Sequence, residues 1–212
     1  MNIAPETAAF PLDHLTIGKD PDASALVTRS GTLNYKMLNH RIALLASWLQ
    51  AQGVVRGDRV ATWLSKTELA CVMPLAAARA GLVHVPINPL LKQAQVAYIM
   101  ADSGARLLIS NSGRLKTLAD SGDDAAWSLF EDKAVEVALE SIVNPVEPGP
   151  ATTNVDDLVA ILYTSGSTGR PKGVMLSHAN LTLGALSVAE YLKLSSDDRT
   201  ICVLPLSFDY GQ

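Results

Sequence analysis

The chain is poor in the residues on which disulfide-rich proteins and metal sites depend. Its 212 residues include two cysteines and four histidines. Two thiols in apolar surroundings, Cys71 and Cys202, are typical of buried core residues in a reducing compartment, not of a disulfide framework. The histidines share no ligand spacing and form no Cys/His cluster, so no metal site is expected. We expect each of them at the surface or at a helix end: His14, His40, His84 and His178.

An excess of positive charge and long apolar runs are also missing. Lys and Arg number 17 against 21 Asp and Glu, for a net charge of -4, which argues against a general nucleic-acid binder. No stretch offers the 18 or more consecutive apolar residues of a membrane span. The first residues lack the basic start and apolar run of a secretory signal. These absences predict a cytoplasmic protein.

What is present is an alternation of strand-like and helix-like segments. "ALVTRSGTLNY" (25–35) predicts a hairpin, and apolar residues at helical spacing predict a helix over 34–53, capped by Asn34 and closed by Gly53. Strand, helix, strand, helix and strand then follow over 58–64, 65–81, 82–88, 90–104 and 105–111, with Pro74 predicting a kink or a later helix start. This order predicts a mostly parallel sheet flanked by helices, an α/β fold.

The second half of the chain is less regular. Residues 116–120 and 133–140 have helical character, but the segment between them breaks the pattern. The turn formers of "NPVEPGPATTNVDD" (144–157) predict an exposed connection. Strands are predicted at 158–164, 173–176 and 200–208, with a helix capped by Ser177 from His178 to about Lys193. We therefore predict two units, an N-terminal α/β subdomain over 1–150 and the start of a second subdomain over 151–212.

A glycine-rich loop follows the apolar strand "LVAILYT". Glycines permit positive φ and close approach of the backbone to a ligand, and successive backbone N–H groups form an anion-binding nest. Hydroxyls and one ammonium, beyond a turn stiffened by Pro171, complete a set of donors suited to a polyphosphate. The alternative for such a segment is a solvated Gly/Ser turn. The residues concerned are Thr164, Ser165, Gly166, Ser167, Thr168, Gly169, Lys172 and Gly173.

The loop fits neither of two common nucleotide motifs. A Walker A loop needs a second glycine where Pro171 stands, and G-x-G-x-x-G is absent. Instead, "YTSGSTGRPKGVMLSH" (163–178) closely resembles the signature phosphate loop of the adenylate-forming enzymes, namely acyl-CoA synthetases, luciferases and nonribosomal peptide adenylation domains. Weaker resemblance to their N-terminal region extends over most of the chain, including "AARAGLVHVPINPLL" (77–91).

The resemblance implies the chemistry and the ligands. These enzymes use Mg-ATP to convert a carboxylate to an acyl-adenylate and pyrophosphate, then pass the acyl group to the thiol of coenzyme A or of a phosphopantetheine carrier protein. Thr164 through Gly169 would wrap the β- and γ-phosphates, and Lys172 would help to neutralise them. The carboxylate is itself the nucleophile, so no Ser-His-Asp set is expected. Any Mg²⁺ would arrive with ATP.

The last residues bear on the substrate. By resemblance, "LPLSFDYGQ" carries a segment that lines the acyl pocket, here Phe208, Asp209 and Tyr210. The Phe-Asp pair is similar to that of amino-acid-activating members, in which the Asp faces the substrate ammonium. "SFDYGQ" also resembles a group of acyl-CoA ligases found with bacterial exosortase systems. The alternative is that Asp209 is a solvent-facing turn residue.

The later motifs of the family have no match within the 212 residues. These are a Thr-Glu segment, a ribose-binding Asp and a lid Lys. The resemblance therefore implies an N-terminal portion of a ligase that is inactive alone and has no catalytic residue of its own, with exposed apolar surface that favours self-association. Two alternatives stay open. One is a nucleotide-binding module that acts beside a partner chain, and the other is a non-catalytic interaction domain with a relic loop.

Overall fold

A computed structural model describes residues 8–119, 127–146, 153–165 and 170–207. Six α-helices and eight β-strands are assigned in these ranges, with a short 3-10 helix, Leu12–Thr16, before them. The strands are β1 (Ser24–Thr28), β2 (Gly31–Asn34), β3 (Arg59–Trp63), β4 (Val83–Pro86), β5 (Ala105–Ser110), β6 (Ser128–Glu131), β7 (Leu158–Ser165) and β8 (Pro171–Ser177). The helices are α1 (Tyr35–Ala51), α2 (Glu68–Arg79), α3 (Gln93–Ser103), α4 (Ser112–Ala119), α5 (Asp132–Leu139) and α6 (His178–Tyr191).

The main sheet has six strands in the order β6-β5-β3-β4-β7-β8. All neighbours are parallel except β7 and β8, which form an antiparallel pair. The predicted hairpin over 25–35 is confirmed as a separate antiparallel pair, β1 with β2. Strands β7 and β8, from beyond residue 150, join the same sheet as β3 to β6. The predicted α/β class is therefore confirmed.

Helices cover both faces of this sheet. Apolar side chains of α1, α2 and α5 pack on one face against Val60 of β3 and Leu107 of β5. Side chains of α3 and α4 pack on the other face against Ala61 and Leu108. Neighbouring residues of one strand serve opposite faces because side chains alternate along a strand. Because they are covered on both sides, the central strands are rich in apolar residues, as parallel strands generally are.

Local signals set the helix ends as predicted. The Asn34 side chain accepts a hydrogen bond from the Met37 backbone N–H at 2.8 Å and so caps α1. The left-handed conformation of Gly104 (φ 62°) closes α3. Helix α2 begins after Thr67, whose side chain caps it, and continues through Pro74, so the later start is wrong. Ser177 caps α6, as predicted.

Two predictions about the irregular parts need correction. Residues 111–143 hold two helices, α4 and α5, with the additional strand β6 before α5. The strand predicted over 200–208 is wrong for its described part, since residues 200–207 form no strand. Ile201 and Val203 are more than three-quarters exposed. A strand requires a neighbour to pair with its backbone groups, and none of the described strands pairs with this segment.

The cysteines and one histidine also differ from expectation. Cys202 is exposed, because the segment that carries it is uncovered, and Cys71 is half-buried in α2. Burial raises the pKa of the Cys71 thiol. His84 is buried in β4, although a surface or helix-end place was expected. His178 is at a helix end, as expected, since it begins α6, and it is buried there. The ring of His178 accepts the Leu12 N–H at 2.9 Å, which ties the 3-10 helix to α6.

Candidate functional site

The glycine-rich loop joins β7 to β8 at the carboxyl edge of the parallel strands. In the antiparallel pair, Thr164 lies directly opposite Lys172 and Ser165 lies opposite Pro171. Residues directly opposite one another place their side chains on the same face, with Cβ atoms about 5 Å apart. The side chains of Thr164 and Lys172 therefore leave the same face of the strand pair at the mouth of the loop. Both residues are exposed.

This pairing supplies the end of the loop with one neutral and one positive donor. Among the described residues, no carboxylate forms a salt bridge with Lys172, so its charge is available to an anion. Ligands of open α/β sheets bind in the crevice outside the carboxyl ends of the strands, and the loop emerges at this edge. The described ends of the loop thus offer a hydroxyl and an ammonium group to an anionic ligand.

The other predicted site residues lie outside the described ranges. Gly166, Ser167, Thr168 and Gly169 are among them, and only the backbone of Ser165 is described. The predicted substrate-pocket residues Phe208, Asp209 and Tyr210 are also outside. Of the predicted site residues, the structure brings together Thr164 and Lys172. The binding roles of all the predicted nucleotide-binding and substrate-pocket residues stay predictions. Among the described residues, no group of three His, Cys, Asp or Glu side chains is placed to hold a metal ion.

Gly173 has a different role from the one predicted. It was grouped with the glycines that permit positive φ, but it is a residue of β8 opposite Tyr163 and is not in the positive-φ region. A Cβ atom at this position would lie 2.8 Å from Ile161 Cγ2 and 3.1 Å from Tyr163 Cζ. The glycine is required because the tyrosine ring crosses this point. It contributes to packing behind the loop.

The structural role of Tyr163 was not predicted from the sequence. Its hydroxyl donates a hydrogen bond to Asp102 Oδ2 at 2.6 Å, linking β7 to α3. Burial and the neighbouring carboxylate of Asp102 raise the pKa of the phenol above its ordinary value. Because Tyr163 directly precedes Thr164 and points to the opposite face, this bond anchors the strand from which the loop begins. A tyrosine ending an apolar strand was the available signal.

His178 is far from the phosphate loop. Sequence position suggested that it opens a helix beside the loop, and it does open α6. Yet Ser177, its neighbour, pairs with Leu158 at the amino end of β7, whereas the loop leaves the carboxyl end. Five residues separate it from Lys172, which amounts to roughly 20 Å of extended strand. Its ring has a structural role, and burial lowers its pKa.

A second concave region lies at the same carboxyl edge of the sheet. It is a cavity of about 190 Å³ at the ends of β3 and β4, facing residues 203–207. Its wall includes His84, whose Nε2 lies 2.9 Å from Thr62 Oγ1. This region was not predicted, because His84 was expected at the surface or at a helix end and no motif connects it with residues 203–207. Separately, no helix among the described ranges is long and apolar enough to cross a membrane.

Comparison with known proteins agrees with this geometry. The family model described as AMP-binding enzyme matches residues 15–212. Feruloyl-CoA synthase of Amycolatopsis sp is 38% identical over 187 residues, covering 88% of this chain and 36% of that protein. L-proline--[L-prolyl-carrier protein] ligase of Pseudomonas fluorescens is 34% identical over 197 residues, covering 92% of this chain and 39% of that protein.

A solved structure extends the likeness to the fold. ATP-bound MatB from Rhodopseudomonas palustris superposes with a TM-score of 0.85 at 29% identity, covering 96% of this chain and 42% of that chain. The chain thus spans well under half the length of the relatives named here. The sheet order, the loop at its carboxyl edge and the family match agree in one conclusion. The chain belongs to the AMP-binding family of adenylate-forming enzymes.

Proposed function

We propose that this chain forms the phosphate-binding part of an AMP-forming acid–thiol ligase. Such an enzyme activates a carboxylic acid with Mg-ATP and transfers the acyl group to the thiol of coenzyme A or of an acyl carrier protein. The observation that carries the proposal is the register of β7 with β8, which sets Thr164 opposite Lys172 at the mouth of the loop. Feruloyl-CoA synthase and the prolyl-carrier ligase, both relatives, represent the two acceptor types.

In this proposal the chain's own residues hold the triphosphate. Backbone N–H groups and hydroxyls from Thr164 to Gly169 surround the β- and γ-phosphates, and the Lys172 ammonium offsets their charge. Mg-ATP would supply the electrophilic phosphorus and the leaving group. The residues of the loop would bind and orient the Mg-ATP. Donors fixed before the reaction stabilise charge that develops on the departing pyrophosphate. The bond between Tyr163 and Asp102 holds the strand from which those donors emerge.

The test is carboxylate-dependent exchange of pyrophosphate into ATP. Changing Lys172 to Ala should lower the exchange rate on the order of 100-fold, the effect typical of removing one preorganised donor. Lys36→Ala is the matched control, because Lys36 is an exposed lysine of α1 on another part of the molecule. The assay uses the longest natural protein that contains these residues. An unchanged rate in folded Lys172→Ala protein would contradict the proposal.

The substrate is a second question. Asp209 favours an amino-bearing acid, because a carboxylate beside an apolar pocket forms a charge-assisted hydrogen bond with an ammonium group. VinN, a related structure, was solved with 3-methylaspartate. Replacing Asp209 with Asn should then reduce exchange with amino acids more than exchange with plain acids. Equal losses would show that selectivity does not depend on Asp209.

Three further expectations stay predictions. The chain as it stands should show no exchange by itself, which the same assay checks. Self-association should follow from exposed apolar side chains, which sedimentation velocity measures, and those exposed by two-fifths or more include Val174, Met175, Leu183, Tyr191, Leu192 and Ile201. The boundary between the two units near residue 150 can be tested by limited proteolysis.

A further inference from the structure

The cavity beside β3 and β4 occupies a distinctive place in the sheet. From β3 the chain passes through α2 to β4 on one side, then through α3 to β5 on the other side. Helices α2 and α3 consequently cover opposite faces, which leaves a crevice at the carboxyl ends of β3 and β4. Ligands of open α/β sheets bind at such a reversal of strand order. The cavity wall includes Thr62, Leu64, His84, Ile87, Val203 and Ser207.

Two residues of the cavity wall each have a buried polar atom without a hydrogen-bond partner among the described residues. His84 is 2% exposed and Ser207 is 6% exposed. His84 Nδ1 and Ser207 Oγ have no hydrogen-bond partner among the described residues. A buried polar group without a partner costs free energy, so native proteins pair nearly all of them with protein, water or ligand. The two atoms are therefore candidates to bond a polar group of a ligand in a mostly apolar wall.

The imidazole presents a neutral group to the cavity. Its Nε2 is engaged with Thr62 Oγ1 at 2.9 Å, which leaves Nδ1 for a ligand. Complete burial lowers the pKa of His84 to about 3, so the ring carries no charge at neutral pH. A neutral ring and a serine hydroxyl suit a hydroxyl or carbonyl group. Lys66 also lines the cavity, but its ammonium donates to the Cys202 carbonyl at 2.5 Å, so a second carboxylate would have to compete for it.

The size and position of the cavity connect it with the phosphate loop. Its volume, about 190 Å³, exceeds the roughly 150 Å³ of an engineered cavity that binds benzene, so it has room for one ring or a short chain. Strand β4 is parallel to β7, with His84 opposite Ala160. Two strand spacings, roughly 10 Å, separate the β3–β4 crevice from the β7–β8 turn. An acid in the crevice can direct its carboxylate along this edge toward the triphosphate.

We propose that this cavity binds the distal end of the acid substrate, and that the acid has a single ring or short chain ending in a neutral hydroxyl or carbonyl group. The distal oxygen bonds His84 Nδ1 and Ser207 Oγ, while the apolar body contacts side chains such as Leu64 and Ile87. This inference rests on the proposed function, because it takes a carboxylic acid as the substrate. It makes His84 and Ser207 determinants of specificity.

The test measures binding without ATP, by NMR of the 212-residue chain with nitrogen-15 in its histidine rings. The probes are benzoate, 4-hydroxybenzoate and terephthalate, which share one ring and differ in the distal group. We expect 4-hydroxybenzoate to shift the His84 ring resonances and to bind about three- to tenfold more tightly than benzoate, the gain from one added hydrogen bond. Terephthalate should leave these resonances unchanged.

Two variants distinguish the contribution of the hydrogen bond to ligand affinity from that of the space in the cavity. Ser207→Ala should bring the affinity for 4-hydroxybenzoate close to that for benzoate. Val203→Trp should weaken both ligands, because Val203 is 77% exposed at the cavity and a larger side chain there narrows it without disturbing the core. Val174→Trp is the matched control, since Val174 is an exposed valine of β8 that is not in the cavity wall.

Equal binding of benzoate and 4-hydroxybenzoate, or His84 resonances that respond to none of the three probes, would overturn the proposal. Either outcome is distinguishable from a failure of the proposed function. Pyrophosphate exchange with 4-hydroxybenzoate in the absence of any His84 response would show that the acid binds elsewhere in an active ligase. A His84 response with no exchange on any acid would refute adenylation and leave a small-molecule site in the crevice.

Discussion

The residues from β1 to α5 and the residues from β7 onward bury their apolar side chains very differently. In the first region, helices cover both faces of β3, β4 and β5, and side chains such as Leu45, Met73 and Ile99 are fully buried. In the second region, β7 is covered but β8 and α6 are not. Met175 is 71% exposed and Tyr191 is 67% exposed.

Sequence alone makes the two regions look alike. "GVML" and "TICVLPL" are as apolar as "VATWL", yet the first two are exposed and the third is buried. Hydrophobicity records what a segment is able to bury, whereas burial depends on which elements are available to cover it. The second region therefore has the composition of a core without the burial, and large exposed apolar surface of this kind marks an interaction site.

The largest difference in free energy of unfolding is expected from truncating one leucine to alanine in each region. Leu45→Ala should lower the free energy of unfolding by about 2–5 kcal/mol, because it leaves a cavity in a fully buried site. Leu183→Ala in α6 should change it by about 0.5 kcal/mol or less, since Leu183 is 43% exposed. Urea denaturation measures both values. Comparable losses would mean that α6 is covered in solution.

Alanine substitutions at two glycines should have opposite effects on stability, because one glycine is crowded by neighbouring side chains and the other is not. Gly173→Ala should cost about 1–3 kcal/mol, because the new Cβ meets Ile161 and the ring of Tyr163 on the neighbouring strand β7. Gly184→Ala, in the exposed helix α6, should stabilise by roughly 0.5–1 kcal/mol, since nothing lies within 4 Å of the added atom. Thermal unfolding compares them, and a stabilised Gly173→Ala protein would refute the close contact.

Each region contains a buried histidine, and both should make stability depend on pH in the same direction. Unfolded histidine has a pKa near 6.5, whereas burial lowers the pKa of His84 to about 3 and also lowers that of His178. Between these values the unfolded chain binds protons that the native chain does not, so stability is full above pH 6.5 and declines as the pH falls.

For His84 the loss should reach about 2 kcal/mol at pH 5, which is 1.5 pH units below the unfolded value. The measurement is urea denaturation from pH 7 to pH 5. His84→Gln removes one titrating group and should flatten the profile, while His40→Gln is the matched control because His40 is exposed in α1. Identical profiles for the native chain and His84→Gln would contradict a neutral buried ring.

The smallest effects should come from the helix caps. Asn34→Ala removes the cap of α1, and Ser177→Ala removes the cap of α6, which is reinforced by a hydrogen bond from the Ser177 N–H to Asn180 Oδ1 at 3.0 Å. Each change should cost about 1 kcal/mol. Global unfolding should register the Asn34 change. If α6 opens independently of the core, hydrogen exchange of α6 amides will register the Ser177 change while global unfolding does not.

Much of the fold could be predicted because local and global signals agree in the first region. Caps at Asn34 and Gly104 stand at the ends of apolar patterns that the sheet covers. Strand β6 was missed because Ser128–Glu131 is short and only partly buried, so it lacks a strong apolar signal. The strand predicted over 200–208 failed for the described residues because pairing partners, unlike apolar character, cannot be read from the segment itself.

Only those residues of the candidate site to which a recognised motif assigns a role could be predicted from the sequence. Thr164 and Lys172 belong to the loop signature, and the register of β7 with β8 sets them side by side. Tyr163, His84 and Ser207 lie in segments that resemble the family, but the resemblance assigned none of them a role. Their importance depends on long-range neighbours such as Asp102, which is 61 residues from Tyr163 in the chain. Gly173 was assigned to the wrong cause, because a glycine required by crowding and one required by φ look the same in a sequence.

The pairing of β4 with β7 has a consequence for the order of folding during synthesis. The strands from β3 to β6 and their helices are complete by residue 139, whereas β7 begins at Leu158. Because chains emerge from the ribosome at roughly 5–20 residues per second, one side of β4 is without a neighbour for about a second or more. The β7–β8 hairpin is a local structure and can form quickly once it emerges. Its docking on β4 would then be the late step, and β4 is the edge that chaperones or neighbouring nascent chains would meet first.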